Sequence, residues 1–145
     1  MTEYTRSAEQ TEKVGAMLAE RLDKEGRKSA FIAMRGEMGV GKTAFTRGFA
    51  SYFGVVGIKS PTYTIVNEHR GKVNIYHFDM YRISDGDDLY SIGYDEYVSA
   101  DGYCIAEWSE NIESEIPEDA IYVTISRVDG CPDERRIDIN ENTCI

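Results

Sequence analysis

Histidine and cysteine are scarce in this 145-residue chain, which holds two of the first and three of the second. Cys104, Cys131 and Cys144 are odd in number and form no C-x-x-C pair. They predict reduced thiols in a cytosolic protein, not a disulfide framework or a zinc site. Only His69 and His77 are available as imidazole ligands, which also argues against a zinc enzyme. Basic charge is the next deficit: 16 Lys and Arg against 26 Asp and Glu leave a formal net charge of −10. A protein that grips nucleic acid alone carries a basic footprint. Direct RNA or DNA binding is therefore not expected, and the acidic balance points to solubility or to a basic protein partner. No apolar run approaches the length of a membrane span. The first residues, Met1-Thr2-Glu3-Tyr4-Thr5-Arg6, lack the apolar centre of a signal peptide. These absences predict a cytoplasmic protein with no membrane partner. The length suits one domain, 1–145, with a real core. No internal repeat, low-complexity stretch or linker divides it.

What the chain does have is Gly36-Glu37-Met38-Gly39-Val40-Gly41-Lys42-Thr43, which fits the phosphate-binding loop pattern G-x-x-x-x-G-K-[ST]. Its context fits as well. Ser29 to Met34 is a short apolar run that reads as a buried strand. Phe45, Phe49 and Tyr52/Phe53 then recur at helical spacing. Glycines at 36, 39 and 41 let the backbone turn tightly and aim successive N–H groups at a phosphate. A helix starting near Lys42 adds the positive end of its dipole. Lys42 suits the terminal phosphates as a point charge, and the Thr43 hydroxyl suits a bridging Mg²⁺ ion. The rest of the loop, Glu37, Met38, Gly39, Val40, Gly41 and Ala44, would contribute through its backbone. The bland alternative is a glycine-rich turn that binds nothing. Average residue usage makes this pattern a chance event in about one chain of this size in a hundred, or fewer.

Along the chain, Val14, Met17, Leu18 and Leu22 share one face of a helix over residues 7–24, with Ser7 as its N-cap. Tyr63–Glu68 and Val73–Phe78 are rich in β-branched and aromatic residues around Arg70-Gly71-Lys72, a predicted antiparallel hairpin. Ser84 to Asp88 caps a short helix through Leu89; its Asp85-Gly86-Asp87-Asp88 run fails the spacing of a calcium loop. A short helix is expected over Tyr94–Ala100 and a buried strand over Tyr103–Ala106. Two last strands, Ile121–Arg127 and Arg136–Ile139, follow Pro117 and are joined by a turn at Gly130/Pro132. The pattern predicts an α/β, three-layer fold whose central sheet is mostly parallel with antiparallel strands.

A P-loop enzyme needs a carboxylate near its Mg²⁺, usually at the C-terminal end of a strand beside the loop. Glu107 ends the more apolar run and suits a central strand; Asp79 ends a more amphipathic one, nearer an edge. Each has a bland alternative as a solvated residue where strand meets loop. Thr62, after Pro61, stands where a mobile loop would sense the γ-phosphate. His77, inside a strand, reads as a packed or hydrogen-bonded histidine ahead of a catalytic base. Trp108, beside Glu107, reads as packing, with stacking on a base or a partner as the alternative.

Taken together, G-E-M-G-V-G-K-T, S-P-T-Y-T-I-V, Y-H-F-D-M-Y-R, I-G-Y-D-E-Y and E-W-S-E resemble the bacterial TsaE family in order and spacing. The likeness runs from residue 7 to about 110 and is weak beyond Pro117. The P-loop alone would indicate only a superfamily; Ser60-Pro61-Thr62 with His77–Arg82 and Glu107-Trp108 is more specific. The resemblance implies a P-loop fold and a small ATPase needed for N6-threonylcarbamoyladenosine at position 37 of tRNAs that read codons beginning with A. It implies action with TsaD-like and TsaB-like subunits, which would hold the tRNA. It also implies ATP and Mg²⁺ as cofactors. By the same likeness, Lys42 contacts the β- and γ-phosphates, and Thr43 and Glu107 serve the metal. Asp79 orients or activates the attacking water, and Thr62 belongs to the nucleotide-sensing loop. Thr11, with Arg135 or Arg136, lies near the adenine. Many relatives have Glu-Trp-Pro where this chain has Glu107-Trp108-Ser109.

Two other functions compete. A small-molecule kinase would share the loop but needs a lid and acceptor pocket, and no arginine-rich lid segment stands out. A nucleotide-gated interaction module would bind ATP without significant hydrolysis. No arginine finger is obvious in the chain; Arg82 is a candidate in cis, with a surface salt bridge as the equal alternative. No N-K-x-D motif is present, which disfavours GTP.

Overall fold

A computed structural model describes residues 1–37, 39–58, 66–83 and 86–141 of the chain. Met38, the Ser60-Pro61-Thr62 segment and the start of the predicted 84–89 helix lie outside them.

The first helix, α1 (Ala8–Lys24), begins where Ser7 accepts a hydrogen bond from the Gln10 amide at 3.1 Å, as its N-cap position demands. Its buried face repeats at Thr11, Val14/Gly15, Leu18/Ala19 and Leu22. Strand β2 (Ala30–Arg35) then leads through the glycine loop into α2 (Lys42–Tyr52), whose buried Phe45 and Phe49 meet α1. The predicted hairpin forms from β3 (Val66–His69) and β4 (Ile75–Asp79), paired antiparallel. Two short helices follow, α3 (Gly86–Ser91) and α4 (Tyr94–Ser99), and then β5 (Tyr103–Glu107).

Among the described residues one seven-stranded sheet forms, and its middle is parallel: β2 pairs with β5, and β5 with β4. On its other side β2 pairs in parallel with β6 (Ile121–Val128). Antiparallel pairing takes over on both sides, with β3 on one and β7 (Cys131–Glu141) on the other. Side-chain alternation along the central strands separates two cores. Ile32 and Met34 of β2 and Tyr103 and Ile105 of β5 pack with α1 and α2. Phe31, Ala33, Cys104 and Ala106 face the other way, onto Leu89 of α3 and Tyr94 of α4. The three-layer arrangement follows directly, because strands buried on both faces need helices on both.

Three features differ from the sequence expectation. An extra strand, β1 (Thr2–Thr5), adds to the sheet edge by pairing with β7. A 3₁₀ helix over Ser109–Glu115 follows β5. Pro132 lies inside β7 and not in the turn: the turn is at Asp129-Gly130, and the β6–β7 register shifts from Val128↔Cys131 to Arg127↔Arg135. A strand proline sits at a bulge because it has no N–H for the ladder. Cys104 and Cys131 are free thiols, the first buried and the second exposed. Among the described residues no helix is long and apolar enough to cross a membrane.

Candidate functional site

The C-terminal ends of β2, β4 and β5 converge on one edge of the sheet. From β2 the chain leaves to α2 on one face, and from β5 to the 3₁₀ helix on the other, so a crevice opens between two neighbouring strands. The glycine loop fills the mouth of that crevice. Gly36 has φ 147°, and a Cβ there would stand 2.5 Å from the Ile125 carbonyl oxygen of β6. Gly41, the N-cap of α2, has φ 119°. Side chains are therefore excluded by contact at the first position and by backbone conformation at both. The loop is also held from outside. Arg135 Nε of β7 donates to the Val40 carbonyl at 3.1 Å, and Arg127 pairs with Glu37 at 2.6 Å.

Lys42 opens α2 and is buried, with its ammonium donating to the Gly36 carbonyl at 2.7 Å. Its Nζ also stands 4.0 Å from the centre of the Trp108 ring. Burial pushes the Lys42 pKa below the ordinary lysine value, while Glu107, Glu110 and Asp79 pull it the other way. Next to it, the Thr43 hydroxyl reaches Oε1 of Glu107 at 3.4 Å, and Oε2 of Glu107 is 2.8 Å from His77 Nε2. Glu107 and His77 are both buried. Asp79 is the register partner of Glu107 on the adjoining strand. One of its oxygens accepts from the Tyr81 amide at 3.0 Å, so the turn that follows β4 fixes the carboxylate.

Trp108 is the only described non-glycine residue with positive φ, at 59°. Its neighbours hold it there: Ser109 donates to the Met34 carbonyl at 3.0 Å and Asn111 to the Met80 carbonyl at 2.9 Å. A strained backbone maintained this way at a strand end is characteristic of functional sites.

Lys42, Thr43, Glu107 and Asp79 thus come together, with Gly39, Val40, Gly41 and Ala44 around them. Thr11 joins them from α1: a Cβ at Gly41 would meet its Cγ2 at 3.7 Å, and its hydroxyl pairs with Thr5 at 2.8 Å. Of the two arginines, Arg135 touches the loop, whereas Arg136 pairs with Asp138. Arg82 is exposed, three residues beyond Asp79. Met38 and Thr62 lie outside the described residues. Motif reading missed the bond from His77 to Glu107 and the ring of Trp108 under Lys42. No local pattern signals a strand histidine bonded to a carboxylate 30 residues away.

The donor set fits a nucleotide with a hard cation. Among the described residues no three His, Cys, Asp or Glu side chains cluster to cage a metal. A threonine hydroxyl beside one carboxylate is instead what a Mg²⁺ ion takes when phosphates and waters complete its shell.

A strand–glycine loop–helix unit on a mainly parallel, three-layer sheet defines a P-loop NTPase fold. The comparisons with known proteins agree. Residues 5–137 match the family described as threonylcarbamoyl adenosine biosynthesis protein TsaE. The chain is 39% identical over 108 residues to the tRNA threonylcarbamoyladenosine biosynthesis protein TsaE of Bacillus subtilis (strain 168), covering 73% of this chain and 66% of that one, just short of two thirds. Identity to the protein of the same name from Haemophilus influenzae is 40% over 119 residues, covering 80% of this chain and 73% of that one. The crystal structure of B. subtilis YdiB superposes with a TM-score of 0.78 at 29% identity, covering 99% of this chain and 86% of that one. The chain belongs to the TsaE family, whose members are named for tRNA threonylcarbamoyladenosine biosynthesis.

Proposed function

We propose that this protein binds and hydrolyses ATP at the P-loop, as the ATPase subunit of a system that places threonylcarbamoyl on adenosine 37 of tRNAs reading codons that begin with A. The observation that carries this is the convergence of Lys42, Thr43 and Glu107, with Asp79 in register beside Glu107. The loop amides and Lys42 neutralise and orient the β- and γ-phosphates. Thr43 and Glu107 would hold Mg²⁺, which would supply charge neutralisation at the phosphate oxygens. Asp79 orients a water towards the γ-phosphorus and receives its proton as the bond to the β–γ bridging oxygen breaks, giving ADP and phosphate. The 59–65 segment, with Thr62, senses the γ-phosphate, and Thr11 borders the adenine.

Turnover is slow in the isolated chain. Arginine supplied in trans is worth ~10³–10⁵ in rate in related chemistry, and TsaD-like and TsaB-like partners are its natural source. The net charge of −10 fits this division of labour, in which those partners hold the tRNA and the acidic subunit stays in the cytoplasm off the nucleic acid. The test is ATP hydrolysis with and without TsaD and TsaB, for the wild type and Glu107→Ala. Partner-dependent turnover that the substitution abolishes is expected. Turnover indifferent to partners would turn attention to phosphoryl transfer onto small acceptors. ATP binding without hydrolysis in any mixture would make the protein a nucleotide-gated docking module.

A further inference from the structure

His77 is fully buried on β4, between the edge strand β3 and β5, and beside Glu107 of β5. Its Nε2 is 2.8 Å from Glu107 Oε2, and its Nδ1 is buried without a hydrogen-bond partner among the described residues. That orphan decides the direction of the bond. If Glu107 donated to Nε2, the ring would carry its hydrogen on Nδ1, leaving a buried N–H unmade at a cost of ~1–3 kcal/mol. With the hydrogen on Nε2, a charge-assisted bond forms to the carboxylate and only a lone pair is left unpartnered. Imidazole in this tautomer is a fixed donor, because a ring packed inside a sheet cannot turn. The other oxygen, Oε1, is then the one that faces Thr43, at 3.4 Å.

We propose that His77 is a positioning residue for the cation site. Its Nε2–H engages Oε2 of Glu107 and so commits Oε1 to the side of Thr43, where the two residues would hold a divalent ion. This rests on the metal-site assignment made above. Without the imidazole, the Glu107 side chain has a second rotamer and a buried oxygen without a donor, and both weaken the cation. Loss of such an outer partner typically lowers metal affinity by ~10–100-fold. The imidazole touches neither cation nor nucleotide, so metal-free ADP binding, which depends on the loop, Lys42 and Thr11, stays unchanged.

The experiment measures ADP affinity with EDTA and again with Mn²⁺, using purified wild type, His77→Leu, His77→Gln and Glu107→Gln, with thermal melting of each. The expected result is a Mn²⁺-dependent gain that falls ~10–100-fold in His77→Leu. His77→Gln, whose amide N–H reaches a similar position, restores it to within a few-fold, and metal-free ADP affinity is equal throughout. A merely structural histidine would lower both affinities together and would not be rescued by Gln. An undiminished Mn²⁺ gain in His77→Leu, with Glu107→Gln impaired, overturns the positioning role and leaves the metal site standing. An undiminished gain in Glu107→Gln overturns both. Should His77→Leu not fold, nitrogen-15 NMR of the wild-type imidazole decides: a hydrogen on Nε2 supports the proposal, and one on Nδ1 overturns it.

Discussion

The Lys42 ammonium lies 4.0 Å from the centre of the Trp108 ring while donating to the Gly36 carbonyl at 2.7 Å. Both partners are substitutes for a phosphate: a π face and a carbonyl each offer negative potential to a cation buried away from water. A cation over tryptophan is worth ~0.5–2 kcal/mol, rising as the pair is desolvated. Phosphates compete with both for the same charge. Trp108 is the sole tryptophan, so its emission reports this exchange directly. Adding ATP should change the intensity or wavelength of that emission saturably. Lys42→Ala should abolish the change along with binding. Emission that stays constant while calorimetry shows binding would mean that Lys42 never leaves the ring.

Alkaline pH should weaken nucleotide binding earlier than an ordinary lysine would allow. Burial lowers the Lys42 pKa in the free protein, ahead of the opposing pull of Glu107, Glu110 and Asp79. A bound phosphate favours the charged form and raises that pKa again. The sign follows from linkage. Affinity is level while free Lys42 is protonated, then falls up to tenfold per pH unit between the free and bound values. That window therefore opens below the ordinary lysine range. ADP dissociation constants measured from pH 7 upward should show the bend, and Lys42→Arg should move it out of reach. A wild-type curve flat to the ordinary lysine range would contradict the buried ammonium.

The order of these pieces was legible in the sequence to the extent that their signals are local. The P-loop is eight contiguous residues, and a strand before and helix after it are periodic patterns. Asp79 and Glu107 stand out because each ends a strand, Glu107 an apolar one and Asp79 a more amphipathic one. What escaped was non-local or polar. Strand β1 is Thr-Glu-Tyr-Thr, stabilised by pairing with β7 and by the bond from Thr2 to Asp138 at 2.6 Å, neither visible in four residues. The 3₁₀ helix Ser109–Glu115 carries a single buried apolar side chain, Ile112, and so has no amphipathic stripe to read. Pro132 looks like a turn residue until the register shift next to it is known. The His77–Glu107 bond exists only because two strands pair in one register.

Arg135 offers a test of how far the loop's shape is imposed from outside it. Its guanidinium donates to the Val40 carbonyl at 3.1 Å and to the carbonyls of Pro132 and Glu134 at 2.8 and 2.9 Å. The bulge around Pro132 is thereby tied to the nucleotide site. A hydrogen bond from a charged donor contributes ~1.5–3 kcal/mol, less where water reaches it, as here. Arg135→Ala should weaken ATP about 3–10-fold by calorimetry and leave the melting temperature within a few degrees. Unchanged affinity would show that the glycines and Lys42 hold the loop unaided.

Gly48 shows the cost of bringing α1 so close to the P-loop helix. A Cβ there would lie 1.8 Å from the Glu12 carbonyl oxygen and 2.4 Å from its carbon, and no rotamer change relieves a clash with backbone. Gly15 meets the same limit from the other side, 2.1 Å from the Phe45 carbonyl oxygen. Each helix sets a glycine against the other's backbone, and this closeness brings Thr11 over Gly41. Gly48→Ala removes a helix-weakening glycine, a gain of ~1 kcal/mol. Against that it forces apart a packed crossing, and overpacking costs ~1–3 kcal/mol or more where backbone must move. The clash outweighs the propensity gain, because α1 and α2 share the core of Val14, Leu18, Phe45 and Phe49. A net loss of about 1–2 kcal/mol should lower the melting temperature by ~2–8 °C for a chain of this size. ATP affinity should fall with it as Thr11 moves off the loop. Gly71→Ala is the control. Its nearest foreign atom would be 3.8 Å away, in ordinary contact, so stability should stay within about 0.5 kcal/mol of wild type. A Gly48→Ala protein that melts at or above the wild-type temperature would mean that the crossing yields easily, and that Thr11 is not held over Gly41 by it.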